Sequence, residues 1–446
     1  MNGVDHPASA VVMRRPVEPG LFGVRQQHEP VRGVAIQLFC FGSIPVQRRQ
    51  PPLRVPLDDA LDGVLAEDLI SPLDIPAWPN AAMDGYAVRA ADVRGASEAS
   101  PKSLQVIERI PAGSFPTRPI GPGTCARIFT GAPIPNGADS VIRQEDTDEG
   151  VERVAVRHDR DAAANVRQAG EDIRKGTTVL RAGAELGPAQ LGVLASLAVA
   201  NPLIYRRPRV AIIASGDEIV DVDQPDLILS GQRIASSNTH SLIAQVRRAG
   251  GEPINLGIAR DTPDSVREHL RQAAGADLLV TSAGVSVGEH DHLRAVLIQL
   301  GLDLTFWRIR MRPGAPVGFG LLSEMPWIGL PGNPVSTMVT FELFVRPALR
   351  RMAGRQFPFR RGVEVQVAEP IRVIPRLQHF LRAIVSVGEH GLEARLTGPQ
   401  GSGILTSMAR ANALLVIPEG QFETAAGERA TAILLDEPEH VAEPPW

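Results

Sequence analysis

RVAIIAS (residues 209–215), PINLGIA (253–259) and DLLVTSAG (277–284) decide the fold. Each begins or runs as a short apolar stretch, the mark of a strand buried on both faces. SLIAQVRRAG (241–250) lies between the first two, apolar at helical spacing and closed by Gly250. Thr262-Pro263 caps a second helix, DSVREHLRQAA (264–274), ahead of the third run. HLRAVLIQLG, LDLTFWRIRM, PVGFGLL and PWIGL follow, with a last helix from about Val335. Such alternation predicts a parallel, doubly wound α/β sheet with right-handed crossovers over 208–359.

Upstream the texture changes. SLQVIERI, TCARIFT, DSVIRQEDT and VERVAVRH are β-rich runs separated by Pro/Gly turns, so 75–168 reads as a small β domain. VPLDDALDGVLAEDLI (55–70) spaces Leu57, Leu61, Val64, Leu65 and Leu69 as a helix would, with Pro72 closing it. GPAQLGVLASLAVA (187–200) also reads as helix. Residues 1–50 show no sustained period and are expected to form a poorly ordered extension. Strand-like runs return over 360–437 and predict a terminal β-barrel or sandwich.

The chain has 446 residues, enough for about three domains. Aromatics are 4% of the chain, so its cores rest on Val, Leu, Ile and Ala. A net charge of −4 offers no basic excess for a polyanion, and nucleic acid is not an expected partner. Two cysteines, Cys40 and Cys125, cannot build a disulfide framework, which points to a reducing cytoplasm. Leu191–Ala200 is about half the length needed to span a bilayer, and no apolar leader follows a basic start, so no membrane association is expected.

Chemistry concentrates at strand ends. Thr281-Ser282-Ala283-Gly284-Val285-Ser286-Val287-Gly288, closing in Glu289-His290-Asp291, follows an apolar strand and offers hydroxyls and flexible N–H groups to an anion. Gly329-Leu330-Pro331-Gly332-Asn333-Pro334-Val335-Ser336 is a second strand-to-helix junction, stiffened by two prolines and opened by Gly332. Either alone is an ordinary crossover loop; on one sheet edge they face one ligand. Glu218, Asp261 and Asp291 fall at or near that same edge, where hard oxygen ligands suit Mg²⁺ bridging phosphates. Taken singly, each is a helix cap. Arg308, Arg310 and Arg312 alternate along FWRIRMRPG and so share one face, either solvated or anion-binding; the neighbouring loops favour the anion. No Cys/His cluster, nucleophile elbow, Walker loop or dinucleotide fingerprint is present in the sequence.

Six stretches, AMDGYAVRAADV, RIFTGAPIPNGADSVIRQED, NVRQAGEDIRKG, RPRVAIIASGDEIV, TSAGVSVGEHD and GLPGNPVS, occur in the order found in the molybdopterin molybdenumtransferase family. The chain resembles that family, the molybdenum insertases that include the E domain of gephyrin, from about Pro51 to Leu435. The resemblance implies an elongated discontinuous α/β domain (51–74 and 169–207) interrupted by the β domain, then a molybdopterin-binding-like α/β domain and a C-terminal β-barrel. It implies a homodimer acting on adenylylated molybdopterin and molybdate, releasing AMP with Mg²⁺ assistance, and contacts with other cofactor-biosynthesis proteins.

By position it implies roles for Asp84, Glu218, Asp261 and Asp291 in catalysis, the last three also as metal ligands. For substrate binding it implies Thr130, Asp172, Ser282, Ser286, Gly288, Arg308, Arg312, Pro331, Asn333 and Pro334. Arg308 and Arg312 stand where the family has lysines, Ala315 where a basic residue is frequent, and Ala283 where glycine is usual. Ala283 is awkward wherever that position requires positive φ. Other readings of the same residues are a non-catalytic or divergent scaffold paralogue, a molybdopterin adenylyltransferase and a tungstate-preferring insertase.

Overall fold

The computed structural model describes residues 49–283 and 292–436. A six-stranded sheet runs in the order Glu252–Ala259, Arg209–Ser215, Leu278–Ser282, Met325–Leu330, Gly318–Leu322, Leu302–Phe306. The first four strands are parallel, but Gly318–Leu322 runs antiparallel to both of its neighbours. The wholly parallel sheet expected over this stretch is therefore mixed. The short Ser323-Glu324 link between two of these strands leaves room only for a hairpin, whereas a parallel neighbour needs a crossover.

Alternation along the strands explains the double winding. Val210, Ile212, Leu278 and Val280 pack with Leu242, Val246, Val335 and Val339 of the helices on one face. Ala211, Ile213 and Leu279 pack with Val266, Val296 and Leu297 on the other. Both faces are covered, so every position of RVAIIAS after Arg209 is buried. Helix Pro334–Thr340 continues through a π turn at Phe341–Val345 into Arg346–Met352.

The β domain is a five-stranded sheet in the order Ser140–Arg143, Gly85–Val88, Thr124–Ile128, Lys102–Ile110, Arg153–Val156. Tyr86 and Val88 enter one cluster and Ala87 the opposite one, a period of two with both faces covered. Gly85 has no alternative: a Cβ there would lie 1.9 Å from the carbonyl oxygen of Ile142.

Pro52–Arg54 pairs with Leu203–Tyr205, and Leu69–Ile70 with Thr178–Leu180, bringing the two flanking segments together around Leu65, Leu186, Leu194 and Ile204. The helix expected over 55–70 does not form. Only a 3-10 turn, Leu57–Ala60, precedes Asp62 at φ 61, after which Val64 and Leu65 bridge to Glu185 and Ile204. Asp62-Gly63 is a turn signal strong enough to override the helical spacing. Leu61, part of that spacing, is 42% exposed.

Five C-terminal strands close into a barrel, because Gln378–Gly388 pairs with both Gly391–Leu396 and Ala413–Ile417. Met311–Arg312, from the α/β stretch, adds to this barrel in parallel, opposite Gln378 and His379. Among the described residues no helix is long and apolar enough to cross a membrane.

Candidate active site

Because the first four sheet strands are parallel, their carboxyl ends share one edge. Arg260-Asp261, Gly216–Glu218, Thr281–Ala283 and Pro331–Pro334 all emerge there. The first strand in the chain connects outward to one side, and the Leu278–Ser282 strand lies on its other side. The crevice at that reversal is where open α/β sheets bind ligands.

Asp261 is held against a residue that the sequence reading passed over. Its Oδ2 accepts from the Asp217 N–H at 3.4 Å, and Asp217 Oδ1 accepts from the Asp261 N–H at 3.3 Å. The signal was available: Asp217 adjoins Glu218 at a strand end. Glu218 is exposed and turns its carboxylate over Gly216 (φ 144), whose missing Cβ leaves 2.7 Å to the carboxylate. Among the described residues no three His, Cys, Asp or Glu gather closely enough to hold a metal ion. Of the expected three-carboxylate set, Glu218 and Asp261 are described, both at this edge, and Asp291 lies outside the described residues. The hard-oxygen pair of Asp217 and Asp261 does fit magnesium, which takes one or two carboxylates and completes its shell with water and phosphate. Asp291, Ser286 and Gly288 lie outside the described residues.

Ser282 is buried at 2% exposure, and its hydroxyl accepts from Asn238 Nδ2 at 2.8 Å. The same nitrogen donates to the Gly332 carbonyl at 2.8 Å. Ala283 has φ 77, so alanine occupies the left-handed backbone where glycine costs least. Pro334 opens the following helix, and the Pro331 carbonyl accepts from Thr337 Oγ1 at 2.5 Å. Asn333 uses its amide to reach the barrel, donating to Ser402 Oγ at 3.0 Å, while the Ser402 carbonyl accepts from the Val335 N–H at 3.1 Å. No local sequence pattern pointed to Asn238 or Ser402.

The three arginines do not share one strand as expected: the sheet strand ends at Phe306, and of the three only Arg312 lies on a strand, Met311–Arg312. Their alternation persists: Ile309 and Met311 are buried, and Arg308 and Arg312 are exposed. Arg310 is taken by Glu419 at 2.6 Å. Arg308 and Arg312 have no partner among the described residues. Arg312 stands near His379, whose pKa is lowered by burial first and by that guanidinium as well.

Asp84 and Thr130 come together in the β domain. Asp84 Oδ1 accepts from the Thr130 N–H at 2.8 Å and from its hydroxyl at 2.7 Å. The backbone bond, then the hydroxyl bond, hold the carboxyl below the ordinary aspartate range, so it stays charged. Arg127 lies close by, stacked at 5.0 Å over Tyr86 and 5.1 Å over Phe129. Asp172 is exposed, with its backbone N–H on the Ile75 carbonyl and its carboxylate without a partner among the described residues.

Family models describe the chain in three successive pieces. The MoeA N-terminal region (domain I and II) matches residues 30–198, a probable molybdopterin binding domain matches 211–351, and the MoeA C-terminal region (domain IV) matches 364–435. Molybdopterin molybdenumtransferase 2 of Mycobacterium tuberculosis is 39% identical over 383 residues, covering 84% of this chain and 93% of that protein. The molybdopterin molybdenumtransferase of Nostoc sp. is 36% identical over 378 residues, covering 83% and 86%. The crystal structure of the molybdopterin biosynthesis moeA protein from Pyrococcus horikoshii superimposes with a TM-score of 0.74 at 30% identity, covering 89% of this chain and 99% of that one.

Proposed function

The chain belongs to the molybdopterin molybdenumtransferase family and is a transferase that inserts molybdenum in molybdenum-cofactor biosynthesis; from that premise we propose that it takes adenylylated molybdopterin and molybdate and releases AMP. One observation carries this reading: Asp261, Asp217, Glu218, Thr281–Ala283 and Pro331–Pro334 converge on a single sheet edge.

The reaction must bring a pyrophosphate and a tetrahedral oxyanion together although both are negative. The Gly332 and Asn333 N–H groups, which have no partner among the described residues, lie on the loop that receives the phosphates. Arg308 and Arg312 offset the charge of the oxyanion, and their forked guanidiniums favour bidentate contact with its oxygens. Asp261 with Asp217 would hold magnesium, which would supply screening of phosphate oxygens. A water or molybdate oxygen attacks the AMP phosphorus, the phosphoanhydride P–O bond breaks and AMP leaves; the two dithiolene thiols bond to molybdenum as their protons carry one molybdate oxygen away as water.

The active unit in this reading is a cytoplasmic homodimer, each cleft completed by Asp84 of the partner subunit and Thr130 of the partner subunit. Within one chain the β domain meets the elongated domain at the Ile75–Ile173 bridge, beyond which Asn80–Ala81 pairs with Val166–Arg167. Other cofactor-biosynthesis proteins would deliver the pterin and collect the product.

Molybdate-dependent AMP release by purified Asp261→Asn and Asp84→Asn proteins tests the assignment. Each is expected to fall by about 10²-fold. Wild-type rates in both would overturn it.

A further inference from the structure

Asn238 stands in the first turn of the Ser237–Arg248 helix and has no part in the roles assigned above. Its amide nitrogen donates at 2.8 Å to Ser282 Oγ and at 2.8 Å to the Gly332 carbonyl. Those acceptors lie just at the ends of two neighbouring parallel strands, one on each strand-end loop. A carbonyl oxygen only accepts, so the atom facing Gly332 must be the nitrogen, and the amide has one permitted orientation. Its oxygen Oδ1 is buried with no donor among the described residues. Buried polar atoms left unpaired are uncommon and call for a reason. Here the reason is the work of the nitrogen.

The same junction shows how closely the loops run. The Ala283 N–H donates to the Leu330 carbonyl at 3.1 Å, and a Cβ placed on Gly332 would sit 3.6 Å from the Ala283 Cβ. Asn333 then continues the chain of bonds to Ser402. Helix, both loops and barrel are joined in one hydrogen-bonded path, and among the described residues Asn238 is the member whose side chain touches both loops.

We infer that Asn238 is a positioning residue that sets the spacing of the two loops, so that one phosphate-bearing ligand meets both at once. This rests on the phosphate reading of that edge. Asn238→Asp keeps the shape but turns a carboxylate oxygen on the Gly332 carbonyl, making that attraction a repulsion, while the Ser282 hydroxyl can turn to donate to it. Asn238→Ala removes both bonds without repulsion.

The experiment measures the dissociation constant of AMP with magnesium by calorimetry, alongside thermal unfolding, for the full-length wild type, Asn238→Ala, Asn238→Asp, Ser282→Ala and the Asn238→Ala/Ser282→Ala double variant. Asn238→Asp is expected to weaken AMP by about tenfold or more and Asn238→Ala by less. Ser282→Ala should add less than twofold to Asn238→Ala, because the hydroxyl has already lost its anchor. A lowered unfolding temperature with unchanged AMP affinity in both Asn238 variants would overturn the inference, as would losses that simply multiply in the double variant. Wild-type protein that fails to bind AMP would remove the phosphate reading itself, and the inference with it.

Discussion

Asp84 with Thr130 and Arg308 with Arg312 are opposite solutions to holding charge in a cleft. The first pair is complete in itself: both Thr130 donors are spent on one carboxylate oxygen, and the carboxyl's pKa is pushed down by them. The second pair has no partner among the described residues; Arg310 between them is the one engaged by Glu419. A satisfied charge is pre-organised and costs nothing to present. An unsatisfied one waits for its ligand and repays its exposure on binding. In the proposed reaction the β domain would bring geometry and the α/β edge affinity.

The comparison breaks most visibly if the two regions serve the same cleft from the same subunit. Co-refolding equal amounts of Asp84→Asn and Asp261→Asn chains should restore roughly a quarter of wild-type AMP release, because random pairing leaves one intact cleft in each mixed dimer. No recovery would place both carboxylates in one subunit's cleft. Smaller in effect, Arg308→Ala/Arg312→Ala should raise the molybdate concentration for half-maximal AMP release by about tenfold or more. Its unfolding temperature should barely move, since neither side chain has a partner to lose. The smallest effect falls on Ala283: Ala283→Gly relieves the φ 77 backbone and should stabilise the α/β domain by about 1 kcal/mol, seen as a higher urea midpoint at unchanged slope.

RVAIIAS could be read correctly because burial on both faces leaves no room for polar residues, and the pattern reports that burial directly. VPLDDALDGVLAEDLI misled because its leucines are buried by extended segments, Val64 and Leu65 meeting partners far along the chain, and periodicity is blind to such partners. The resemblance implied roles for Asp84 and Thr130 in the cleft but not their pairing; 46 residues separate them, and no local rule joins them. Asn238 and Ser402 escaped for the same reason. Each is an unremarkable polar residue whose meaning comes from a contact with Gly332 or Asn333 across 94 or 69 positions. Ala283 is the instructive middle case, since the sequence posed the condition and only the backbone angle answered it.

Met311–Arg312 lies in the ladder of the barrel while its chain belongs to the α/β unit. The barrel thereby holds the Arg312 backbone, while Arg308 lies upstream of that ladder, on the segment that leaves the sheet after Phe306. The bite between the two arginines is thus set jointly by two units of the chain, and a shift of the barrel against the sheet would change it.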